Sequence, residues 1–274
     1  MTIANPSLSF DGTNLMTLAY KVRALGLDES LPGRRGENVI VPGVAGQTYV
    51  AKELEQRTID MLMWVAAVGT AGSAQWAASS MGDNINTLTA LFGSDGTHTI
   101  TRTRGTTALT GTVEVRDVRF TPGGAYHYDV AVSMVMPDPL WYATSATTAS
   151  TGFSSVPASP LAVVNGGTYV ARNMTVTLAC PASPAASLTN PKVTIGSFWA
   201  KYTGVIAAGQ SLVIQPHLFA ATYAGNSVVS DMSWNESNGP VWLELARGSN
   251  NVVVSADGIS NTPTITVSFY APYL

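Results

Sequence analysis

Charge is what this chain has least of. Lys, Arg, Asp and Glu make up 11% of its 274 residues, against about a quarter in an ordinary soluble domain. Ser, Thr, Asn and Gly take up the polar positions instead. The formal net charge is −3, with no block of one sign, which argues against nucleic-acid binding through a basic footprint. A surface with so few charges is weakly protected against self-association, so a homo-oligomer or a permanent partner is expected. Cysteine is nearly absent: one residue, Cys180, leaves no internal disulfide and no thiolate metal cluster. Long apolar runs are missing too. The longest, Met61–Val68 ("MLMWVAAV"), falls far short of the ~20 residues a membrane helix needs. The opening "MTIANPSLSFDG" has neither the basic nor the apolar region of a secretory signal.

The usual chemistry motifs are missing as well. The histidines, His98, His127 and His217, stand far apart, none with a His or Cys at metal-ligand spacing, and no HExxH occurs. "PGVAGQT" at 42–48 lacks the spacing and the lysine of a phosphate loop, GxSxG is absent, and "GDNINT" at 82–87 reads as a helix start rather than a calcium loop. Glu53 and Glu55 share a strand face, as do Glu114 and Arg116, and both pairs read as solvated face residues. No catalytic residue, cofactor site or metal site is expected, and the chain is expected not to be an enzyme.

What is present is alternation. In Met174–Cys180 ("MTVTLAC") Met174, Val176, Leu178 and Cys180 share one face, which makes Cys180 a buried structural thiol. Thr264–Phe269 ("TITVSF") sets Ile265, Val267 and Phe269 against Thr264, Thr266 and Ser268. Val241, Leu243 and Leu245 read the same way against Trp242 and Glu244. Such period-2 runs are half-buried antiparallel strands, and turn phrases separate them: "AAGQ" at 207–210, "RGSNN" at 247–251, "ADGISN" at 256–261. One stretch breaks the period. From Ser79 to Phe92, Met81, Ile85, Leu88 and Phe92 fall on one helical face, with Ser79, Ser80 or Asp83 to cap its start and Gly93 to end it.

The chain is therefore expected to be mainly β in two domains. The first, 1–142, is a sandwich or barrel-like domain with one helix. It has early strands around 7–25, a Gly/Pro-punctuated arm at 26–47, a strand at 48–68, and strands at Thr99–Arg104, Gly111–Phe120 and Ala125–Met136. Pro137 and Pro139 cannot donate to a ladder, so they end the last strand. Trp141 and Tyr142 follow as amphipathic anchors at the domain seam. Ala143–Pro160, rich in Ser, Thr and Ala, reads as a linker, and 161–274 as an antiparallel β-sandwich. Trp199, Trp234 and Trp242 are candidates for stacking on a sugar ring; packing under a loop or in a subunit contact is the plainer reading.

The order of these pieces resembles the distal tail proteins of long-tailed, non-contractile phages, also known as phage tail family or minor tail proteins. The residues behind it are "LPGRRGENVIVPGVAGQTYVAKELEQRTIDMLMWV" (31–65), "PDPLWY" (137–142), "LARGSNNVVVSADG" (245–258) and the final "TITVSFYAPYL". The resemblance implies a protruding arm or hairpin on the first domain and a jelly-roll or galectin-like terminal sandwich. It implies a structural role in the virion: a ring, generally hexameric, at the tail tip, synthesised in the host cytoplasm. Its partners would be the tail tube protein, the tail-tip hub and a receptor-binding protein, with DNA passing through the lumen unbound and no membrane contact. The insertions that carry carbohydrate-binding modules in some relatives are missing here. Ring contacts are expected on 26–50 and on the hairpins of 99–136, with Leu31, Pro32, Val39, Ile40, Val41 and Pro42 as the apolar contacts of the arm. A carbohydrate-binding module using Trp199, Trp234 or Trp242 is the alternative, and a polysaccharide hydrolase a third reading.

Overall fold

A computed structural model describes residues 7–17, 19–27, 31–36, 53–68, 78–124, 126–239 and 241–274. It is mainly β, with a single α-helix among the described residues, and divides into two compact units, Met1–Tyr142 (with Leu274) and Ala143–Tyr273.

The first unit contains β1 (Leu8–Phe10), β2 (Thr13–Asn14), β3 (Tyr20–Leu27), β4 (Arg34–Arg35), β5 (Glu53–Leu54), β6 (Arg57–Ala66), α1 (Ala78–Phe92), β7 (His98–Arg104), β8 (Thr107–Gly124), β9 (His127–Met136) and β10 (Trp141–Ala143). Its sheet runs in the order β2-β1-β7-β8-β9-β6-β3, antiparallel throughout. Strand β8, 18 residues long, joins its two parts. Thr107–Val113 pair with β7 and Glu114–Gly124 with β9, with register shifts between Val115 and Asp117 and between Pro122 and Gly124. Along β6, Arg57, Ile59, Met61, Met63 and Val65 are buried and alternate with exposed or half-buried residues. This is the period-2 signature of a sheet with one covered face.

Helix α1 packs on β6. Leu88 and Phe92 are fully buried, as the spacing requires, and Phe10 meets Phe92 edge to face at 4.9 Å. Met81 and Ile85 are only half-buried. The residue that completes the buried stripe is polar: Asn84, 4% exposed. Its Nδ2 donates to the carbonyls of Ala66 and Val68, each at 2.9 Å, so it satisfies two acceptors where β6 runs out. Just past the helix, position 93 requires glycine: a Cβ there would lie 2.5 Å from the Thr89 carbonyl oxygen.

The second unit contains β11 (Thr147–Gly152), β12 (Leu161–Asn165), β13 (Met174–Ala179), β14 (Ser187–Thr189), β15 (Lys192–Ile195), β16 (Phe198–Tyr202), β17 (Val205–Ile206), β18 (Ser211–Gln215), β19 (Ala220–Tyr223), β20 (Asn226–Ser227), β21 (Met232–Trp234), β22 (Gly248–Ser255), β23 (Gly258–Ser260), β24 (Thr264–Phe269) and β25 (Pro272–Tyr273). A 6-stranded sheet, β11-β24-β13-β18-β19-β20, and a 5-stranded sheet, β12-β22-β15-β16-β21, share one core, and a small sheet β17-β14-β23 flanks them. Met174, Val176, Leu178, Ile265, Val267 and Phe269 come from the first, Val193, Ile195, Ala200, Val252 and Val254 from the second. Cys180 is buried in this core, and burial pushes its thiol pKa up, so it stays protonated and inert.

Three sequence expectations are corrected here. The run at 143–160 is no connector. Its residues Thr147–Gly152 form β11 and pair along their whole length with β24. Ser150 Oγ donates to the Ile265 carbonyl at 3.1 Å and lies 2.8 Å from Thr266 Oγ1, so hydroxyls do the cross-strand work usually done by aliphatics. The turn at 256–261 contains a strand, β23, paired to β14. And 241–245 is not a regular strand: it makes a single bridge, Leu245 to Ala171, and Trp242 and Leu243 are buried side by side. Alternation fails there because Trp242, Leu243 and Leu245 all join the core of the second unit.

The turn phrase before β22 has a physical basis. Asn250, 9% exposed, accepts from Ala246 N–H at 2.9 Å and donates to the carbonyls of Ala246 at 2.8 Å and Gly248 at 3.0 Å. Gly248 sits at φ 89°, a conformation that favours glycine.

Candidate functional site

Strands β4 and β5 pair antiparallel, Arg34 with Leu54 and Arg35 with Glu53, and Glu55 N–H donates to the Gly33 carbonyl at 2.9 Å. This small ladder holds 33–35 against 53–55. Of the expected arm contacts, Leu31 is 70% exposed and Pro32 is buried; Val39, Ile40, Val41 and Pro42 lie outside the described residues. Leu31 thus presents an aliphatic side chain to solvent.

The exposed side of β3, β6, β9 and β8 carries several charged side chains. Three ion pairs form there: Arg23 with Asp129, Arg116 with Glu114 at 2.8 Å, and Arg119 with Asp117 at 2.7 Å. Ser133 also donates to Asp60 at 2.7 Å. At one end Arg23, Trp64, Ala66, Tyr126, His127 and Asp129 line a hollow of about 330 Å³. Tyr126 is 58% exposed. A hollow with aromatic walls and a neutralised charge pair suits a packed protein contact better than a polyanion.

The closing "PDPLWY" forms a small polar clamp. Asp138 accepts from the Leu140 N–H at 3.2 Å and from the Tyr142 hydroxyl at 2.6 Å. Burial, and then this carboxylate, push the Tyr142 phenol far above its ordinary range. Trp141 is 1% exposed and lies under the Arg102 guanidinium, 4.1 Å from the ring centroid, a cation–π contact strengthened by burial.

Another buried charge centre holds β1 to β7. His98, 6% exposed, faces acceptors on both ring nitrogens, Asp11 Oδ2 at 2.7 Å and the Ser94 carbonyl at 3.0 Å. The Asp11 hydrogen bond raises the His98 pKa against the opposing effect of burial. For Asp11 burial acts upward, but the Thr99 N–H and His98 outweigh it and hold the carboxyl below its ordinary value. The spacing of these residues in sequence gave no hint of the pair, because β1 and β7 are brought together only by the sheet.

The three candidate tryptophans of the second unit do not share one surface. Trp242 is 1% exposed and sits between Trp234, stacked at 5.2 Å, and Phe219, edge-on at 5.9 Å. Its Nε1 finds no acceptor among protein atoms. It is a core residue and offers no face to a sugar; the assumed strand phase had placed it outside. Trp234 is half-buried against it. Trp199 follows the alternation of β16, opposite in sense to fully buried Ala200, and so lies on the outer face of its sheet beside Lys192. Among the described residues, no group of three or more His, Cys, Asp or Glu side chains is placed to hold a metal ion, and no helix is long and apolar enough to cross a membrane.

No protein-family model matches the chain, and no curated protein matches it by sequence. Solved structures do match. Chains from the baseplate of phage p2 in its activated conformation, with Sr or with Ca, align over 96% of this chain and 98% of theirs, at TM-scores of 0.43 and 0.40 and identities of 9% and 10%. The crystal structure of the Dit protein (gp 19.1) of phage SPP1, described as a paradigm of the hub adsorption apparatus in phages that infect Gram-positive bacteria, aligns over 97% of this chain and 99% of its own, with a TM-score of 0.66 and 18% identity. From end to end, then, this chain has the fold of the SPP1 Dit protein.

Proposed function

We propose that this chain is a structural protein of a phage tail tip, located in the virion. In this reading it forms a ring, hexameric in the simplest case, that joins the tail tube to the baseplate or tail-tip hub. DNA passes through the lumen, and receptor-binding proteins attach further out. The observation that carries the reading is the fold match to SPP1 Dit along 97% of this chain and 99% of that one, which brings both units and their order into the comparison. Physical features agree with it. The surface is poor in charge, three ion pairs neutralise much of the charge on the outer sheet face of the first unit, and Leu31 is exposed. Ring subunits use heterologous contacts that close on themselves, and an extended arm is suited to cross onto a neighbour. The ring contacts are assigned to 26–50 and to the hairpins of 99–136. The role is structural and needs no catalytic residue or cofactor.

Negative-stain electron microscopy and native mass spectrometry of the purified chain test this. Closed rings of one stoichiometry, alone or with its tube and hub partners, are expected. A strict monomer at high concentration that stays monomeric with those partners present overturns it.

A further inference from the structure

The outer face of the 5-stranded sheet holds a group of side chains for which neither folding nor ring assembly accounts. Lys192 and Lys201 are directly opposite each other on β15 and β16, and Trp199 faces Thr194 one pair along. The ammonium of Lys192 lies 4.5 Å from the centroid of the Trp199 ring. All three side chains are half-buried. The two strands are interior to the sheet, between β22 and β21. Among the described residues no carboxylate reaches either ammonium as an ion pair, although Arg23, Arg35, Arg116, Arg119 and Arg172 each have one. Around them the same face carries no charge: Thr194, Ser233, Ser255 and the half-buried Val253 follow from the register.

Like charges facing each other across a ladder are destabilising, and a single acidic residue at position 194 or 255 would relieve them. The Trp199 ring answers part of the Lys192 charge, but no carboxylate among the described residues answers the pair, which leaves an anion from outside the chain to do so. We infer that this face binds an acidic saccharide, a sugar ring bearing a carboxylate or a phosphate. The indole offers an apolar plane for the ring. The two lysines, paired across β15 and β16, can meet the anion as charge-assisted donors, and Thr194, Ser233 and Ser255 on the same face offer hydroxyls for the sugar. A neutral sugar would leave the ammoniums unanswered, and a bare anion would leave the indole idle. The inference does not depend on the ring: it concerns a face of the second unit and holds for a monomer.

Isothermal titration calorimetry of the full chain tests it with four probes: trigalacturonic acid, glucose 6-phosphate, maltotriose and inorganic phosphate. At least one acidic saccharide is expected to bind, and which one identifies the anion. Maltotriose and inorganic phosphate should bind about tenfold more weakly or not at all, and added salt should weaken the acidic saccharide. Trp199→Ala and Lys201→Gln should each abolish measurable binding, and Trp234→Phe should leave it unchanged. Lys201→Gln removes a like-charge neighbour and so should melt no lower than the parent, which keeps loss of binding separate from loss of fold. The inference is overturned if neither acidic saccharide binds, if maltotriose binds equally well, or if binding is indifferent to Trp199→Ala.

Discussion

A single buried amide adds hydrogen bonds to the apolar packing of the helix of the first unit on its sheet. Asn84 gives its two N–H bonds to Ala66 and Val68, so Asn84→Leu keeps the volume and strands two buried carbonyls. We expect a loss of about 2–4 kcal/mol, read as a lower urea midpoint for the first unit. The Asp11–His98 pair adds a pH dependence. The His98 pKa is raised above 6.5, so its contribution is complete below that value and is lost as pH rises through the higher folded pKa. The Asp11 pKa is lowered below 3.8, so its contribution is present above that value and is lost as pH falls through the lower folded pKa. The pair therefore stabilises most between 3.8 and 6.5, by linkage. The gap in melting temperature between the parent and Asp11→Asn should be wide at about pH 5.5 and narrower at about pH 8.5, the range over which histidine titrates. A gap that does not change with pH would mean that the carboxylate acts only on the Thr99 N–H.

At the level of elements, period-2 runs were legible wherever one face is covered and the other open: Met174–Cys180 and Thr264–Phe269 place every buried residue correctly. The helix was legible from Leu88 and Phe92, but its polar anchor was not, since a hydrophobic pattern has no sign for a buried amide that satisfies strand-end carbonyls. β11 was missed because its stabilising groups are hydroxyls, which read as linker. The 241–245 segment was misread because its alternation is accidental, and with it Trp242. Trp199 stood among the glycan candidates on aromatic character alone; what singles it out is the lysine pair of the neighbouring register, which only the pairing reveals. Turns are equally exacting. A Cβ on Gly167 would lie 2.1 Å from the Pro272 carbonyl oxygen, which accepts the Thr168 N–H at 2.9 Å. Gly167→Ala must push backbone from backbone, and should lower the stability of the second unit by about 2–3 kcal/mol. Asn250→Ala should cost about 1–3 kcal/mol by leaving the turn before β22 unclamped. Denaturation followed by circular dichroism checks both.

For the molecule as a whole, scarcity of charge and a paired outer face favour packing against like copies over swimming alone. If the arm carries the ring, Leu31→Asp at its base should shift the oligomer toward monomer, seen in native mass spectra, without altering the melting of either unit. An exposed leucine whose loss changes nothing in assembly would move the contact elsewhere. The length of β8 has its own consequence. One continuous strand is the seam by which β7 and β9 hold together, changing partner between Val113 and Glu114, so the two parts of that sheet are expected to melt together. A tug on either flank is felt at once on the opposite side, and the unit should give way in one step, like a belt cut at the buckle.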